Sequence, residues 1–208
     1  MYKHGRSYKR TKLEILIKNM SKKVREVPVI LGSKGILQPS FEEIKWMLRA
    51  ADSLILRGGR ALLTKILKGS KDKKILELNL DKNPAYGYLK SLSNDEILAK
   101  IDWLLLKEYL DIRYDGRLPL LVYTAKGWEI EKDTYSDELL EGFNKMIESG
   151  EFSMEYLKDK ERGMILMLLD KVEKTGDPKY IPLLKAWEKI DYKKVQSRIR
   201  QVISSIAV

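Results

Sequence analysis

The sequence predicts a mainly α-helical protein that contains one small β hairpin. Two Ser-x-x-Glu capping boxes, SFEE from Ser40 and SNDE from Ser93, each precede apolar residues at helical spacing. Between Leu110 and Thr124 the apolar period changes from 3.6 to 2 on both sides of a glycine-containing turn. Helical periodicity then returns for the rest of the chain. Together these observations predict a helix-rich fold interrupted by a single hairpin.

Three helices and one shorter stretch are predicted before the hairpin, at about residues 41–57, 60–68, 94–108 and, for the short stretch, 73–80. The capping boxes open the first and the last of them. Gly58-Gly59 ends the first helix, and Gly69 is the natural stop of the second. One face of the first helix is predicted to be apolar, with Phe41, Ile44, Leu48, Ala51 and Ile55.

The hairpin is predicted in LDIRYDGRLPLLVYT, where alternate apolar residues enter at Leu110, Ile112 and Tyr114. The DGRLP segment turns the chain, and Leu120, Val122 and Thr124 return it. Three helices followed by a two-stranded hairpin is the order of elements in a winged-helix domain. This fold is common among DNA-binding proteins and is also used for protein contacts alone, so the architecture favours DNA binding without deciding it.

The remainder of the chain is predicted to be helical. One helix is expected from Ser136 to Glu148, and a helix, a TGDP turn and two further helices are expected from Glu161. Helix pairs separated by such a turn are typical of a HEAT-type repeat, here about one and a half units long. The predicted organisation is a basic N-terminal arm (1–39), a winged-helix domain (40–130) and a HEAT-like helical module (131–208).

Composition argues against an enzyme, a cofactor or a metal site. The chain has 208 residues, no cysteine and one histidine, His4, which leaves little for thiolate, metal or histidine chemistry. The carboxylate pairs Glu42-Glu43, Asp95-Glu96 and Glu138-Glu141 are interpreted as surface positions. No signal peptide is evident, and the longest apolar run, Met164 to Leu169, is far too short to span a bilayer. We therefore expect a cytoplasmic, non-enzymatic protein.

The net charge of +10 is concentrated in the first part of the chain. Up to Lys126 there are 26 basic against 14 acidic residues, and after it 14 against 16. Such asymmetry is typical of a protein in which one module binds a polyanion. The first 27 residues are especially basic, and both a solubilising tail and a DNA-seeking arm fit that pattern.

The stretch LKGSKDKKILEL places four lysines around one Gly-Ser step, with Asp72 as the local counter-charge. A solvated linker and a phosphate-binding corner both fit this composition. If Ser70 lies at a helix N-cap, it presents its hydroxyl and free backbone N–H groups to an anion. The neighbouring lysines would add affinity through counterion release.

Three segments together resemble the RQC domain, the winged helix that follows the motor of RecQ-family DNA helicases. They are GGRALLTKILKGSKDKKILEL, PAYGYLKSLSNDEILAKIDWLLLKEYLDI and LLVYTAKG. The shared features include the Gly-Ser corner, the Tyr86-Gly87 pair, and the Thr124, Lys126 and Gly127 of the last motif. In that family the corner holds duplex phosphates, and the wing acts near the duplex end. The resemblance implies DNA contacts at Arg60, Lys68, Ser70, Lys71, Lys73, Lys74, Lys100, Arg113 and Arg117.

The departures from the family are as informative. The 208 residues contain no G-x-x-x-x-G-K-[ST] motif for ATP and no cysteines for the zinc module of RecQ helicases. The leading hypothesis is a DNA-binding protein that recognises duplex, forked or junction DNA by phosphate contacts, without a helicase motor. The alternative is an adaptor that delivers an RQC-like module to a separate helicase or repair protein through its C-terminal helices. A winged-helix transcriptional regulator is a third hypothesis, and no dimerisation heptad supports it.

Overall fold

A computed structural model describes residues 26–32, 35 and 38–207, so most of the predicted arm, residues 1–39, lies outside the described residues. Within the described residues the α-helices are α1 (Phe41–Asp52), α2 (Arg60–Lys68), α3 (Lys73–Glu77), α4 (Asn94–Leu106), α5 (Ala125–Ser149), α6 (Arg162–Thr175), α7 (Ile181–Glu188) and α8 (Lys193–Ile206). The strands are β1 (Leu110–Asp115) and β2 (Leu118–Tyr123). Short 3-10 turns lie at Leu80–Lys82, Glu155–Asp159 and Pro178–Tyr180. The predicted mainly helical fold with one hairpin is confirmed.

Both predicted capping boxes are formed. At the start of α1 the Ser40 hydroxyl accepts from the Glu43 N–H at 3.1 Å, and the Glu43 carboxylate accepts from the Ser40 N–H at 2.9 Å. Ser93 and Glu96 repeat this arrangement at the start of α4. The first helix is shorter than predicted, because the chain leaves it at Asp52 and turns through residues 53–57. The predicted third stretch is the five-residue α3, followed by a turn.

The hairpin has a tight connection at Gly116-Arg117, where Gly116 has φ of 57°. This short connection pairs Ile112 with Leu121 and Leu110 with Tyr123. The odd-numbered residues of β2 therefore share a face with the apolar residues of β1, and Leu121 is fully buried. The predicted return through Leu120 and Val122 is formed, and the turn length sets which residues of β2 face the core.

A first hydrophobic core lies between α1, α2, α4 and the hairpin. Its fully buried members include Met47, Leu48, Leu63, Ile66, Ile101, Leu104 and Leu121. α2 packs on α4, and the hairpin closes the layer beside them. Phe41, which was predicted on the apolar face of α1, is 63% exposed because the helix begins there, at the edge of this core. The winged-helix arrangement predicted from the order of elements is confirmed.

The long helix α5 joins this core to a second one. It begins at Ala125 because Thr124 caps it, well before the predicted start at Ser136. Ile130 packs on the first core, whereas Leu139 and Phe143 belong to the second. The predicted boundary at 130/131 thus falls inside a continuous helix. In the second core α5, α6, α7 and α8 surround the buried Trp187. Their HEAT-like relationship stays a prediction. No helix in the described ranges is long and apolar enough to cross a membrane.

Candidate nucleic-acid interface

The Gly-Ser corner is a tightly held turn between α2 and α3. Gly69 ends α2 in the left-handed conformation, with φ of 73°. A Cβ on Gly69 would lie 3.0 Å from the Cα of Gly87, so the two glycines pack backbone to backbone. The Gly87 N–H donates to the Ile66 carbonyl at 2.8 Å, and the Tyr86 hydroxyl donates to the Ser70 carbonyl at 2.9 Å. The corner is therefore a fixed platform on the domain.

Ser70 is not the N-cap of α3, so the N-cap arrangement considered for an anion at Ser70 is not formed. Asp72 holds that position, and its carboxylate accepts from the Lys74 N–H at 2.9 Å. The Ser70 hydroxyl accepts from the Asp72 N–H instead. The Lys65 ammonium, 2.8 Å from Asp72, is the main reason that the pKa of this carboxyl is lowered, and the Lys74 N–H adds to the effect. Asp72 caps α3 because it directly precedes Lys73, the first helical residue, and Asp is a favoured N-cap residue.

Three of the predicted DNA-binding cations are engaged within the protein. The Lys68 ammonium donates to the carbonyls of Lys90 and Leu92. Lys100 forms an ion pair with Glu43 at 2.9 Å, which ties α4 to α1. The Arg60 guanidinium pairs with the nearly buried Asp102 and also donates to the Ile30 carbonyl. Their contact with DNA stays a prediction, and these geometries show a structural role for each.

The remaining lysines of the corner are accessible to solvent. Lys71, Lys73 and Lys74 are exposed, and the side chain of Lys73 retains 88% of its accessible surface. Lys73 is 3.5 Å from Glu77, an exposed i,i+4 pair of the kind that contributes little. Lys71 and Lys74 form no side-chain ion pair in the part of the chain that the structure describes. The turn and the first two residues of α3 therefore present three exposed ammonium groups.

The wing presents a second exposed basic group. Arg113 lies on β1 and Arg117 at the turn, and both are exposed. Leu118, next to Arg117, is 62% exposed at the tip. A groove of about 470 Å³ lies between α2, α4 and the hairpin, with Lys65 on its α2 side and Pro119 on its wing side. Lys65 also pairs with Asp72, the cap of α3, so the groove reaches from the wing to a residue that contacts the corner.

An N-terminal strap, residues 27–32, crosses this groove. The Val27 N–H donates to the Arg117 carbonyl at 3.2 Å, and the Tyr114 hydroxyl donates to the Val27 carbonyl at 2.9 Å. At its other end the Gly32 N–H donates to the Asp102 carboxylate at 3.0 Å. The strap covers part of the α4 side of the groove and leaves the corner and the wing tip exposed.

The geometry of this domain agrees with comparisons to known proteins. Residues 40–139 match the family model of the RQC domain. Residues 40–139 form an RQC-like domain. The chain is 34% identical over 80 residues to the ATP-dependent DNA helicase RecQ of Bacillus subtilis (strain 168). That alignment covers 38% of this chain and 13% of the helicase, so the chain spans a small part of its relative. No solved structure matches the chain significantly.

The last motif of the RQC-like domain docks α5 on the segment before the wing. The Thr124 hydroxyl donates to the Glu108 carbonyl at 2.6 Å and accepts from the Gly127 N–H at 3.1 Å. The Lys126 ammonium lies 3.6 Å from the centroid of the Tyr109 ring. Gly127 is buried against the Tyr109 carbonyl, where a Cβ would lie only 1.9 Å from the oxygen. The motif therefore fixes the direction in which the chain leaves the wing.

A buried charge cluster lies between α1 and α5, within the residues that match the RQC domain. The Arg49 guanidinium on α1 bonds the Glu138 carboxylate at 2.8–3.0 Å and lies 3.4 Å from both Glu131 and Asp52. It also stacks over the Tyr135 ring at 3.9 Å. Glu138, which was predicted to be a surface acid, is ion-paired here because α1 and α5 pack together. Glu131 is fully buried, and its Oε2 has no hydrogen-bond partner among the described residues.

One guanidinium faces three carboxyl groups in this cluster, and this imbalance of charge helps to explain the protonation state of Glu131. Burial raises the pKa of Glu131 to about 9, and the Asp52 and Glu138 carboxylates add to the effect against the opposing charge of Arg49. Glu131 therefore holds its proton at neutral pH, while Glu138 takes the close ion pair. No sequence pattern indicated this cluster, since residues 49 and 131 meet only in the folded chain.

Glu131→Gln is expected to flatten the pH dependence of stability. The folded-state pKa lies above the ordinary value of 4.5, so the proton on Glu131 stabilises the fold fully below that value. This contribution is lost as pH rises towards about 9. Between about pH 5 and pH 9, the free energy of unfolding of the wild type should fall relative to the variant by at least about 1 kcal/mol. Urea unfolding at several pH values measures the difference.

The matched control is Glu129→Gln, because Glu129 is exposed two residues away on the same helix. It should keep the pH dependence of the wild type. Parallel curves for wild type and Glu131→Gln would contradict the protonated state of Glu131.

Proposed function

We propose that this protein is a non-enzymatic DNA-binding protein of the cytoplasm. Its RQC-like domain holds duplex, forked or junction DNA by phosphate contacts, without a helicase motor in these 208 residues. The RQC domain is a DNA-binding module of RecQ helicases, which supports DNA as the partner. The proposal depends above all on one observation: Lys71, Lys73 and Lys74 are exposed on a turn that the glycine contact holds rigid.

The physical argument for phosphate contact is the position of these charges. Ammonium groups on a fixed turn meet a phosphate strand without a large cost in ordering the backbone, and each contact releases counterions from the DNA. Arg113 and Arg117 add exposed positive charge on the wing, with Arg113 on the face of β1 opposite to the groove-lining Ile112, and both can contact phosphates of DNA that passes the wing. Contacts of this type read the shape of DNA and carry no base sequence.

Lys71→Glu/Lys74→Glu is expected to weaken duplex binding by on the order of tenfold or more. The slope of log K against log salt should become less steep by about 1.8, since each neutralised phosphate contributes about 0.9. Fluorescence anisotropy with blunt duplex, fork, four-way junction and single strand, each at several salt concentrations, measures affinity and slope together. It also ranks the preferred DNA structure.

The matched control is Lys174→Glu/Lys185→Glu, which makes the same charge change at exposed positions of α6 and α7. It should bind duplex with nearly the wild-type slope. Duplex affinity that is unchanged in the Lys71→Glu/Lys74→Glu variant would overturn the proposal. In that case a pull-down that recovers a helicase would favour the adaptor hypothesis.

A further inference from the structure

The C-terminal helices contain a second basic pocket, away from the corner and the wing in sequence. It has a volume of about 400 Å³ and lies between the 155–159 turn, the start of α6 and the connection between α7 and α8. Five basic side chains line it, namely Lys158, Lys160, Arg162, Lys193 and Lys194. This convergence is unusual because the chain after Lys126 has fewer basic than acidic residues.

These cations lack acidic partners in the pocket. Among the described residues none of the five forms an ion pair, and Lys160 alone donates a side-chain hydrogen bond, to the Tyr135 hydroxyl. The acid that lines the pocket, Asp191, is buried, and its carboxylate accepts from the Trp187 indole and the Tyr192 N–H, both at 2.6 Å. Glu161 lies next to Arg162 in sequence, but its carboxylate caps α6. The five cations therefore outnumber the one acid in the pocket lining, and the pocket keeps an excess of positive charge.

The rest of the lining indicates which kind of anion fits. Leu157, Ile165 and Val195 form an apolar floor, which a bare inorganic ion would not use. Tyr192 lines the pocket and is 69% exposed, so its ring offers a free face to a planar group. Aromatic faces beside basic side chains are how proteins hold single-stranded nucleic acid, with bases stacked on the rings and phosphates on the cations. An acidic peptide would use the charges and leave the exposed ring without a role.

We propose that this pocket is a second nucleic-acid site, which binds a phosphate of a single strand with its basic side chains and stacks a base on Tyr192. This inference rests on the proposed function, because it takes DNA as the partner. A protein with both sites would hold a duplex at the RQC-like domain and an adjoining single strand at the C-terminal helices. Such a pair of sites suits a fork or a tailed duplex better than a blunt end.

The test uses the full chain and a labelled oligothymidylate of about 12 nucleotides, a length within the range of known single-strand sites. Lys158→Glu/Lys194→Glu should lower its affinity by about tenfold or more and reduce the salt slope by about 1.4, at about 0.7 per phosphate of a single strand. Tyr192→Ala should lower the affinity by about fivefold or more, and Tyr192→Phe should restore it, because stacking needs the ring and not the hydroxyl.

The outcomes separate this inference from the proposed function. The Lys174→Glu/Lys185→Glu control should leave oligothymidylate binding unchanged, and Lys158→Glu/Lys194→Glu should leave blunt-duplex binding to the corner largely intact. Oligothymidylate binding that is insensitive to all the pocket variants would overturn the second site while the corner still binds duplex. Displacement by polyglutamate with no binding of oligothymidylate would identify the pocket as an acidic-peptide site and would also overturn it.

Discussion

Arg49→Leu is expected to lower the free energy of unfolding by about 3 kcal/mol. Arg49 is 6% exposed, and its guanidinium is the cation that faces Glu131 and Glu138 across the contact between α1 and α5. Leucine fills part of the space but leaves the carboxyl groups without their partner. Because Glu131 is protonated, the charge that loses its partner is mainly that of Glu138, which keeps its desolvation cost, and the contact of the guanidinium with the Tyr135 ring is lost as well. Urea unfolding followed by circular dichroism measures the loss.

Arg57→Leu is the matched control, since Arg57 is an exposed arginine shortly after α1. Its effect should stay within about 0.5 kcal/mol. The triple variant Arg49→Leu/Glu131→Leu/Glu138→Leu should recover part of the stability lost in Arg49→Leu, because Asp52, whose side chain is 36% exposed, is then the one acid of the cluster left without Arg49. If Arg49→Leu were as stable as Arg57→Leu, the charge cluster between α1 and α5 would not contribute to the free energy of unfolding.

Gly127→Ala is expected to destabilise the protein by about 3 kcal/mol or more. The added Cβ would lie 1.9 Å from the Tyr109 carbonyl oxygen and 2.8 Å from its carbon. Both are backbone atoms, so no side chain can rotate away, and α5 must move from the segment before the wing. That movement would also break the bond of Thr124 to the Glu108 carbonyl. Thermal and urea unfolding report the change.

Gly142→Ala is the control in the same helix, because the position that a Cβ would take at Gly142 has no neighbouring atom within 4 Å among the described residues. Alanine is the better helix former, so this variant should gain up to about 1 kcal/mol. Equal stability of the two alanine variants would mean that the close approach of α5 to Tyr109 is not needed.

Much of the fold follows from short-range patterns. The two capping boxes placed the starts of α1 and α4 correctly, and the change of period placed the hairpin. The long helix α5 was only partly predicted, because the buried residues of its first turns are small or polar, namely Gly127, Glu131, Thr134 and Ser136, and give no apolar pattern. The inward face of β2 was not predicted, because it depends on the length of the turn.

The candidate site was predicted less completely. The corner could be located from its lysines, but Asp72 and Lys65 were missed as its cap and the partner of that cap. The order Ser-Lys-Asp before a short helix was a signal for the cap, since Asp is a strong N-cap residue. The ion pair of Arg60 with Asp102 could not be predicted from local sequence, because the two residues are 42 positions apart. The same holds for Lys100 and Glu43, which are further apart in the sequence.

By itself the sequence determined the order of the elements, their main caps and the excess of positive charge in the part of the chain that ends at Lys126. These properties depend on composition or on residues within a turn or two of one another, so the amino-acid sequence is enough to predict them. Only the tertiary structure decided which cations remain exposed, which acid keeps its proton and which basic side chains converge on the C-terminal pocket. Burial and pairing of charge are properties of surfaces that distant segments build together, and they exist only after the chain has packed.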